Sequence, residues 1–400
     1  GRPYGVYAGN GRLLQTLQNL KFNKEHLAYL ERQKIISSPT KNWLTGFQFS
    51  GDITGYREGE IYFPLSPVIT VESRLGEALI LETLILSITN FDSAVASAAS
   101  RIVGAAAGRY VMEAGSRRIT PEAGVHAARA AYIGGVDVTS NLEAGRRWGI
   151  PTAGTASHAF TLAFESEIEA FQTQSEHLGE DSIFLVDTYD IEKGIRNAVN
   201  STNANLRGIR IDSGDLATEA QIARNLLDDL GAHQAEIMVS GDLDEYRIAD
   251  LVNAPIDAFE AGHRLVTGSG AGSAGFVYKL VAIEDSSPEK TMRIVAKTSK
   301  GKISKGGRKL AKRKRDLAGA AIEESLFVKS HKNIEVPSGN YRDLQYQLVE
   351  GGVVKEDLSL EDARTHLTKV LSEIPEEIRL CVNGDPAVPT VIYENKETDG

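Results

Sequence analysis

The chain has very little cysteine: Cys381 is the only thiol among its 400 residues. A single cysteine excludes a disulfide framework within the chain and a cysteine-rich zinc site, and it favours a reducing, cytoplasmic location. Positive charge is also in deficit, because 54 acidic residues outnumber 44 basic ones and leave a net charge of −10. This surplus of negative charge does not suit a general nucleic-acid binder or a protein that adheres to anionic membranes.

Long hydrophobic runs are scarce as well, so we expect neither a segment that crosses a bilayer nor a signal peptide. Hydrophobic residues form 42% of the chain, which at this length is enough for two or three domains with sizeable cores. The opening residues, from Gly1 to Gly5, do not look like a native start. We therefore expect the natural amino terminus to lie further upstream.

The pattern of apolar residues changes along the chain and divides it into three parts. Residues 1–108 combine short apolar runs with two helical patterns, which predicts an α+β domain and its linking helices. Residues 109–275 repeat a short apolar strand, a polar turn and an amphipathic helix, which predicts an α/β barrel catalytic domain. Residues 276–400 hold strand-like runs and a basic stretch, and we expect this carboxy-terminal segment to rejoin the amino-terminal domain.

The middle part contains a series of predicted strands, each short and rich in apolar residues. The predicted strands are Tyr110–Glu113, Val136–Thr139, Pro151–Thr155, Ile183–Asp187, Gly208–Asp212, Glu236–Ser240 and Asp257–Ala261. Their number and the helices between them favour an incomplete TIM-like α/β barrel, and a doubly wound open sheet is the alternative.

Polar residues gather at one end of these strands. Each predicted strand is followed by glycine, a hydroxyl, a carboxylate or an arginine, whereas the opposite ends are unremarkable. In the segment 208–216, for example, an apolar strand ends in Asp212 and Ser213 and leads through Gly214 into a helix. Because barrel enzymes act at the carboxyl ends of their strands, this distribution predicts one polar site for a ligand with many hydroxyls and several negative charges.

Six short motifs carry a resemblance to a known family. In chain order they are Gly115-Ser116-Arg117-Arg118, Thr139-Ser140-Asn141, Gly154-Thr155-Ala156-Ser157-His158, Val186-Asp187-Thr188-Tyr189-Asp190, Arg210-Ile211-Asp212-Ser213-Gly214-Asp215 and Ser240-Gly241-Asp242. With this order and spacing the chain resembles the nicotinate phosphoribosyltransferases, a group of type II phosphoribosyltransferases. The resemblance covers most of residues 4–315 and weakens in the tail.

The resemblance implies a reaction and its partners. Nicotinate would displace pyrophosphate from C1 of phosphoribosyl pyrophosphate and give nicotinate mononucleotide for NAD biosynthesis, with ATP hydrolysis coupled and Mg²⁺ required. An oxocarbenium-like transition state would depend on positioning and charge stabilisation rather than on a protein nucleophile. The resemblance further implies a homodimer with shared sites, and an aromatic segment upstream of Gly1 that stacks on nicotinate.

The same resemblance implies roles for single residues. His158, as a catalytic residue, would take a phosphoryl group from ATP, and the catalytic carboxylates Asp187 and Asp212 would hold ribose hydroxyls and orient Mg²⁺ on the pyrophosphate. Arg117 and Arg210 would bracket the carboxylate of nicotinate, because a guanidinium fork fits a carboxylate. The other substrate-binding candidates are Ser140, Asn141, Ser213, Gly241, Asp242, Gly262 and His263, with Gly241 and Gly262 at the 5′-phosphate.

A basic stretch follows the predicted barrel. Three of its lysines are candidates for binding the phosphates of ATP or pyrophosphate: Lys297, Lys302 and Lys305. A nucleic-acid patch is the alternative, but the stretch has no interleaved aromatic residues and the whole protein is acidic. We expect the run from Lys312 onward to form a solvated helix face.

The last predicted strand departs from the family pattern. The resemblance leads us to expect Gly-x-Gly-Thr, whereas the chain reads Glu260-Ala261-Gly262-His263-Arg264. A carboxylate beside a phosphate is unfavourable unless it points away, and His263 and Arg264 would compensate by donating to the phosphate. Three alternative functions stay open: a nicotinamide enzyme, a quinolinate enzyme, or a non-catalytic relative that binds phosphoribosyl ligands.

Some acidic candidates also have a purely structural interpretation. Asp215, Asp242 and Asp244 each stand near the predicted start of a helix, where a carboxylate serves as an N-cap. For Asp244 the capping role is the preferred one. Thr155 is likewise open to interpretation as a cap of the helix that follows it.

Overall fold

The computed structural model describes residues 2–288, 290–299, 304–329, 336–355, 359–379 and 383–394. The chain divides into two compact units, each of which contains more than one segment of the sequence. The first unit comprises residues 1–93, 273–375 and 383–400, and the second comprises residues 94–272 and 376–382. The second unit holds the predicted strand ends and is described first.

Parallel strands form the centre of the second unit. Within the unbroken described stretch 2–288, the first to sixth barrel strands are Tyr110–Glu113, Val138–Thr139, Ile183–Leu185, Gly208–Ile211, Glu236–Ser240 and Ala258–Ala261. They lie side by side in the order second, first, sixth, fifth, fourth, third. The sixth strand therefore pairs in parallel with the first, so that the end of the series meets its beginning. This cyclic order confirms the incomplete TIM-like barrel and excludes the open doubly wound sheet.

The predicted strand over residues 151–155 is much shorter in the structure. It is reduced to an isolated parallel bridge between Thr139 and Thr152. Pro151 has no N–H to donate, although its carbonyl accepts a hydrogen bond from the backbone N–H of Thr139 at 3.0 Å. Proline and the nearby Gly154 both disfavour a longer ladder. The barrel is therefore incomplete between this bridge and the third barrel strand.

Helices alternate with the barrel strands. The helices of the second unit are Pro121–Ile133, Leu142–Trp148, His158–Leu162, Glu167–Leu178, Ile191–Thr202, Leu216–Asp229, Glu245–Asp250, His263–Val266 and Glu376–Arg379, with 3-10 turns at Ser116–Arg118 and Gly179–Asp181. Asp215 caps one of them by accepting from the backbone N–H of Thr218, and Asp244 caps another by accepting from Tyr246 and Arg247. The capping interpretation of these two carboxylates is confirmed.

The first unit is a mixed α+β structure built from both ends of the chain. Its strands are Gly5–Val6, Asp52–Gly55, Ile61–Tyr62, Ile69–Glu72, Ala282–Glu284, Met292–Ile294, Arg308–Arg315, Ala321–Lys329, Tyr341–Asp343, Tyr346–Glu350, Val353–Val354 and Thr390–Tyr393. Its helices are Asn10–Gln18, Lys24–Arg32, Ser38–Thr45 and Leu360–Leu371, together with the first part of Leu75–Ala105. Antiparallel pairing of Asp52–Gly55 with Tyr346–Glu350 joins the two ends.

One long helix replaces the two that the sequence predicts between residues 76 and 108. The helix Leu75–Ala105 runs for 31 residues without a break. By length and composition it is also apolar enough to cross a membrane, so the expectation that the chain holds no such run is wrong. Leu81 and Ile85 of this helix pack in the core of the first unit against Leu13 and Leu348. Burial in a protein core is the other common reason for such a composition.

The basic stretch forms a strand where a solvated helix face was expected. Arg308–Arg315 pairs antiparallel with Ala321–Lys329. Alternate residues of a strand point to opposite sides, and this places Arg313 in the interior, where its Nη2 lies 2.7 Å from the Glu324 carboxylate. The helix prediction is wrong because it counted charges and took no account of this alternation.

Candidate active site

A chain of hydrogen bonds links the carboxyl ends of the third and fourth barrel strands. Asp187, just after the third strand, has a side chain that is only 2% exposed. Its Oδ1 lies 3.0 Å from Nε2 of His158. Its Oδ2 accepts from the backbone N–H of Asp212 at 3.0 Å and from the Ser213 hydroxyl at 2.6 Å. One buried carboxylate therefore joins the predicted histidine to the predicted sugar-binding loop.

Arg210 extends this network across the barrel. Its Nη1 donates to the Thr155 hydroxyl at 2.6 Å, and its Nε donates to the Ser240 hydroxyl at 2.9 Å. Its Nη2 lies 3.4 Å from Oδ1 of Asp212. The Ser240 hydroxyl also donates to Oδ1 of Asp212. Thr155, which the sequence left open as a helix cap, therefore contacts the arginine.

Strand alternation explains why these side chains meet. In the fourth barrel strand Ile209 and Ile211 point to one side and are fully buried, which directs Arg210 to the other side. Arg210 is in register with Met238 of the fifth strand, and Ser240 follows two residues later on the same face. Ser240 in turn is in register with Glu260 of the sixth strand. A polar row therefore crosses neighbouring strands on one face of the sheet.

Gly241 allows the chain to turn sharply after this row. Its φ is +105°, and a Cβ atom there would stand 3.1 Å from the Asp212 carbonyl oxygen. Both facts favour glycine, because other residues rarely adopt this conformation. The loop after the fifth strand can therefore lie directly against the loop after the fourth.

Glu113 is a functional candidate that sequence reasoning missed. Its buried carboxylate accepts from the backbone N–H of Gly115 and from the Thr139 hydroxyl. Thr139 in turn accepts from the backbone N–H of Asn141, and the Asn141 amide donates to the Ser116 hydroxyl at 2.8 Å. Burial raises the pKa of Glu113, and the nearby Glu260 adds to the effect. A carboxylate at a strand end, two residues before a glycine turn, was the available signal.

Glu260 does not point away from the site. Its Oε2 lies 3.0 Å from Nε of Arg210, and its side chain is 13% exposed. Burial raises the pKa of this carboxyl group, with Asp212 adding to the increase, while Arg210 and Arg117 oppose it. Glu260 therefore does not meet the condition of pointing away, and the positive charge beside it comes from Arg210.

The remaining candidates of the second unit occupy loops around this network. Arg117 is exposed on the 3-10 turn after the first barrel strand, and Asp242 is exposed after the fifth. Asn141 caps the helix Leu142–Trp148 by accepting from Ala144, so part of its hydrogen-bonding capacity is structural. Ser140 follows the second strand and its backbone N–H donates to the Glu113 carbonyl oxygen.

Gly262 and His263 stand after the sixth barrel strand, where Gly262 precedes the short helix His263–Val266. His263 is exposed. A Cβ atom on Gly115 would stand 2.8 Å from the Gly262 carbonyl oxygen, so the loops after the first and last strands are in close contact. The cyclic strand order thus brings together loops that are far apart in the sequence.

The three candidate lysines belong to a different part of the chain. Lys297 and Lys305 are exposed residues of the first unit, and Lys302 lies outside the described residues. Lys305 forms an ion pair with Glu394. The backbone N–H of Lys297 donates to the Ser304 hydroxyl at 2.8 Å.

The carboxylates differ in their capacity to hold a metal ion. Among the described residues no group of three or more histidine, cysteine or acidic side chains is arranged as a metal cage. Magnesium is commonly held by one or two carboxylates together with substrate phosphates, and Asp212 fits that pattern, because its Oδ2 accepts no hydrogen bond from the part of the chain that the structure describes. Both oxygens of Asp187 already accept from protein donors.

Two family models match successive parts of the chain up to residue 268. The nicotinate phosphoribosyltransferase N-terminal domain matches residues 1–90, and the quinolinate phosphoribosyl transferase C-terminal domain matches residues 95–268.

Solved structures share the fold. The human nicotinic acid phosphoribosyltransferase superposes with a TM-score of 0.81 at 19% identity, over 99% of this chain and 91% of that one. The nicotinate-nucleotide pyrophosphorylase of Pyrococcus furiosus gives a TM-score of 0.74 at 24% identity, over 93% of this chain and 86% of that one. At these identities the likeness supports the fold alone.

Sequence relatives establish the family. The nicotinate phosphoribosyltransferase pncB1 of Mycobacterium tuberculosis is 45% identical over 398 residues, which cover 98% of this chain and 86% of the relative. The nicotinate phosphoribosyltransferase of Bacillus subtilis is 38% identical over 70% of this chain and 59% of its own length. The motifs, the fold and these relatives agree, and the chain belongs to the nicotinate phosphoribosyltransferase family.

Proposed function

We propose that this protein transfers the phosphoribosyl group of phosphoribosyl pyrophosphate to nicotinate and couples the transfer to ATP hydrolysis. The products are nicotinate mononucleotide and pyrophosphate, which serves NAD biosynthesis. The observation that carries the proposal is the continuous hydrogen-bonded network from His158 through Asp187 and Asp212 to Arg210. A reactive histidine, a sugar-binding carboxylate and an anion-binding guanidinium are the groups that this reaction needs in one place.

Asp212 and the loop at Gly241 are the proposed phosphoribosyl subsite. A carboxylate accepts hydrogen bonds from ribose hydroxyls, and its free oxygen is available to Mg²⁺ bound by the pyrophosphate. The backbone N–H groups near Gly241 and Gly262 would receive the 5′-phosphate. When bound, Mg²⁺ neutralises charge on the departing pyrophosphate.

Arg210 and Arg117 are the proposed clamp for the carboxylate of nicotinate. The hydrogen bonds of Arg210 to Thr155, Ser240 and Asp212 fix its planar group, and a guanidinium has five N–H groups, more than these three bonds use. Ser140, Asn141, Ser213, Asp242 and His263 are the proposed polar surroundings of the substrates. The ring nitrogen of nicotinate then attacks C1 of the ribose, the C1–O bond breaks, and pyrophosphate leaves with the electron pair.

His158 is the proposed phosphoryl acceptor. A carboxylate only accepts hydrogen bonds, so the tautomer that suits Asp187 carries its N–H on Nε2, 3.0 Å from Oδ1 of Asp187, and has its lone pair on Nδ1. Nδ1 would attack the γ-phosphorus of ATP, forming a P–N bond while the bond to ADP breaks, and Asp187 would stabilise the positive charge on the ring. The side chain of His158 is 40% exposed, which leaves it accessible to a nucleotide. Lys297, Lys302 and Lys305 remain proposed contacts of ATP or pyrophosphate.

A homodimer and a cytoplasmic location are also proposed, since they follow only from the family resemblance and from the scarcity of cysteine. No nucleic-acid or membrane partner is proposed for this acidic chain.

Labelled acceptors test the proposed function. Purified protein is incubated with phosphoribosyl pyrophosphate, Mg²⁺ and isotope-labelled nicotinate or quinolinate, with and without ATP, and the nucleotides are separated. We expect nicotinate mononucleotide as product and stimulation by ATP. Product from quinolinate alone would favour a quinolinate phosphoribosyltransferase, the candidate that the match of the barrel domain favours. Absence of any product would favour a non-catalytic protein.

His158→Ala tests the phosphoryl step within the same assay. The variant is expected to lose ATP hydrolysis and ATP stimulation and to keep a slow transfer that does not depend on ATP. His177→Ala is the control, because His177 is an exposed histidine whose ring lies 2.9 Å from the Thr173 carbonyl oxygen of its own helix. Full ATP coupling in His158→Ala would show that the assigned role is wrong.

A further inference from the structure

Glu260 brings a carboxylate into the proposed acceptor site. It stands at the end of the sixth barrel strand, at a position where the family pattern leads us to expect glycine. Its Oε2 lies 3.0 Å from Nε of Arg210. The Nε–H itself is donated to Ser240 at 2.9 Å, and Oε2 is buried without a hydrogen bond from any described residue. Glu260 therefore acts on Arg210 mainly through its charge.

The charges around Glu260 include both arms of the proposed clamp. Arg210 and Arg117 each stabilise the ionised form of Glu260, whereas Asp212 and Glu113 disfavour it. Arg210 also has Asp212 at 3.4 Å. The guanidinium thus has two carboxylates of the protein beside it before any substrate arrives. The electrostatic attraction between Arg210 and the carboxylate of a ligand is therefore weaker than it would be without these two carboxylates.

We propose that Glu260 determines acceptor specificity: by offsetting the charge of Arg210, it makes the site accept an uncharged pyridine carboxamide as well as an anionic pyridine carboxylate. A carboxamide is not repelled by Glu260, its N–H groups can donate to the carboxylate, and its carbonyl can accept from Arg210. Specificity depends on such differences in affinity between competing ligands, including repulsive ones.

This inference rests on the proposed function, because it requires Arg210 to face the acceptor ring. The transfer step forms and breaks the same bonds for both acceptors. Ring nitrogen forms the bond to C1, the C1–O bond breaks, and pyrophosphate takes the electron pair. The carboxamide group is unchanged by the reaction.

Acceptor competition tests the proposal. The ratio of kcat/KM for nicotinate to kcat/KM for nicotinamide is measured in the unchanged protein and in Glu260→Gln, which keeps the shape and removes the charge. We expect measurable use of nicotinamide by the unchanged protein, and a rise of the ratio by about tenfold or more in the variant. A general loss of structure or activity lowers both constants together and leaves the ratio unaffected.

Glu236→Gln is the matched control, because Glu236 belongs to the adjacent barrel strand and pairs with Arg207 at the opposite end of the sheet. Its ratio should equal that of the unchanged protein. Glu260→Ala removes the same charge and replaces Glu260→Gln if that variant does not fold.

The outcomes separate the two levels of the proposal. In one outcome the protein turns over nicotinate while the ratio of the two kcat/KM values changes less than about twofold in both Glu260 variants. That result overturns the role of Glu260 and leaves the proposed function intact. Failure of the unchanged protein to convert either acceptor overturns the proposed function itself.

Discussion

Asp187 shows how much of the site depends on one side chain. Its buried carboxylate orients the imidazole of His158 through Oδ1 and anchors the Asp212 loop through Oδ2. The proposed phosphoryl step and the proposed sugar subsite therefore share a support. Asp212, by contrast, has an oxygen free for a ligand and a side chain that is 26% exposed. At the scale of residues, one carboxylate positions the site and the other is available to bind.

Asp212→Ala separates these roles. Removing the proposed ribose ligand should raise the KM for phosphoribosyl pyrophosphate by about tenfold to a hundredfold, which corresponds to a charge-assisted hydrogen bond of about 1.5–3 kcal/mol. The KM for nicotinate should change much less. Steady-state kinetics with each substrate varied in turn measures both values. A larger effect on nicotinate than on phosphoribosyl pyrophosphate would refute the sugar assignment.

Glu113→Gln tests the residue that the sequence did not reveal. A glutamine amide can accept from only one of the two donors, Gly115 or Thr139, that now share the carboxylate. We expect a loss of about 1–3 kcal/mol in the free energy of unfolding and a higher KM for nicotinate, because the turn that carries Arg117 is no longer held.

Chemical denaturation and substrate kinetics check both effects of Glu113→Gln. Glu143→Gln is the control, since Glu143 forms exposed pairs with Arg146 and Arg147 of its own helix. Unchanged stability together with an unchanged KM would show that Glu113 does not position the turn.

Much of the site at residue scale was predictable, and the reason is strand geometry. Carboxyl ends of parallel strands lie at one edge, so His158, Asp187, Arg210 and Asp212 were expected to converge, and the structure brings them together. The contact of Arg210 with Thr155 depends on the conformation of a loop, which no periodicity encodes. The pairing of Glu260 with Arg210 depends on register between strands that the sequence does not specify.

At the scale of elements, helix starts are marked clearly in this chain. Asp215 precedes the helix Leu216–Asp229 and accepts from the Thr218 backbone N–H. Hydrogen bonds from Thr218 hold the pKa of Asp215 below its usual value. This carboxylate lies three residues from Asp212 in the sequence, yet its hydrogen bond stabilises the start of the helix. Proximity in sequence therefore does not imply a shared role.

Asp215→Ala should lower the free energy of unfolding by about 1 kcal/mol, as the loss of an N-cap does. Because Asp215 serves the helix, KM values for both substrates should stay within about threefold of the unchanged protein. Asp215→Ser, which preserves a capping oxygen, should restore the stability. A large rise in the KM for phosphoribosyl pyrophosphate with no loss of stability would assign Asp215 to the substrate instead.

Helices and strands were predictable where the apolar period and the boundary residues agree. The prediction was wrong where charge was the only guide. The barrel strands combine apolar runs with polar ends, and their existence was expected correctly. The helix Leu75–Ala105 is continuous because the residues at the predicted break, Asn90, Phe91 and Asp92, include neither glycine nor proline. The run from Lys312 onward, which belongs to the strand Arg308–Arg315, was expected to be helical because its alternation is hidden by basic residues on both faces.

At the scale of the whole molecule, the first unit contains a buried charge network that the sequence did not suggest. Glu60 accepts from Arg342 at 2.6 and 3.0 Å and lies 2.9 Å from His366. Arg342 also donates to Glu373. Burial alone would raise the pKa of Glu60, but hydrogen bonds and positive charges outweigh it and lower the pKa from 4.5 to about 2. Breaking such a network leaves a buried charge without compensation.

This shift predicts acid sensitivity. A carboxylate with a lowered pKa in the folded state stabilises the protein above its unfolded pKa of 4.5, and the contribution is lost as the pH falls from 4.5 toward about 2. The loss is on the order of 3 kcal/mol. Denaturation from pH 7 to pH 3 should therefore show falling stability, and Glu60→Gln should reduce the slope. An equally steep decline in the variant would exclude Glu60 as a source.

Global architecture was largely predictable, because a repeated strand–helix unit with polar ends restricts the fold to few solutions. The sequence also favoured a barrel over an open sheet, but it did not show which strands pair, because the first and sixth barrel strands are about 150 residues apart. The network around Glu60 was not predictable for the same reason: its members come from distant parts of the sequence.

The central claim is that the loops leaving the barrel strands form one phosphoribosyl site. A crystal structure of the protein with bound nicotinate mononucleotide tests it most directly. We predict electron density for the ribose beside Asp212, for the 5′-phosphate at Gly241 and Gly262, and for the pyridine carboxylate near Arg210. Nucleotide bound at the amino ends of the strands, or in the first unit alone, would contradict the claim.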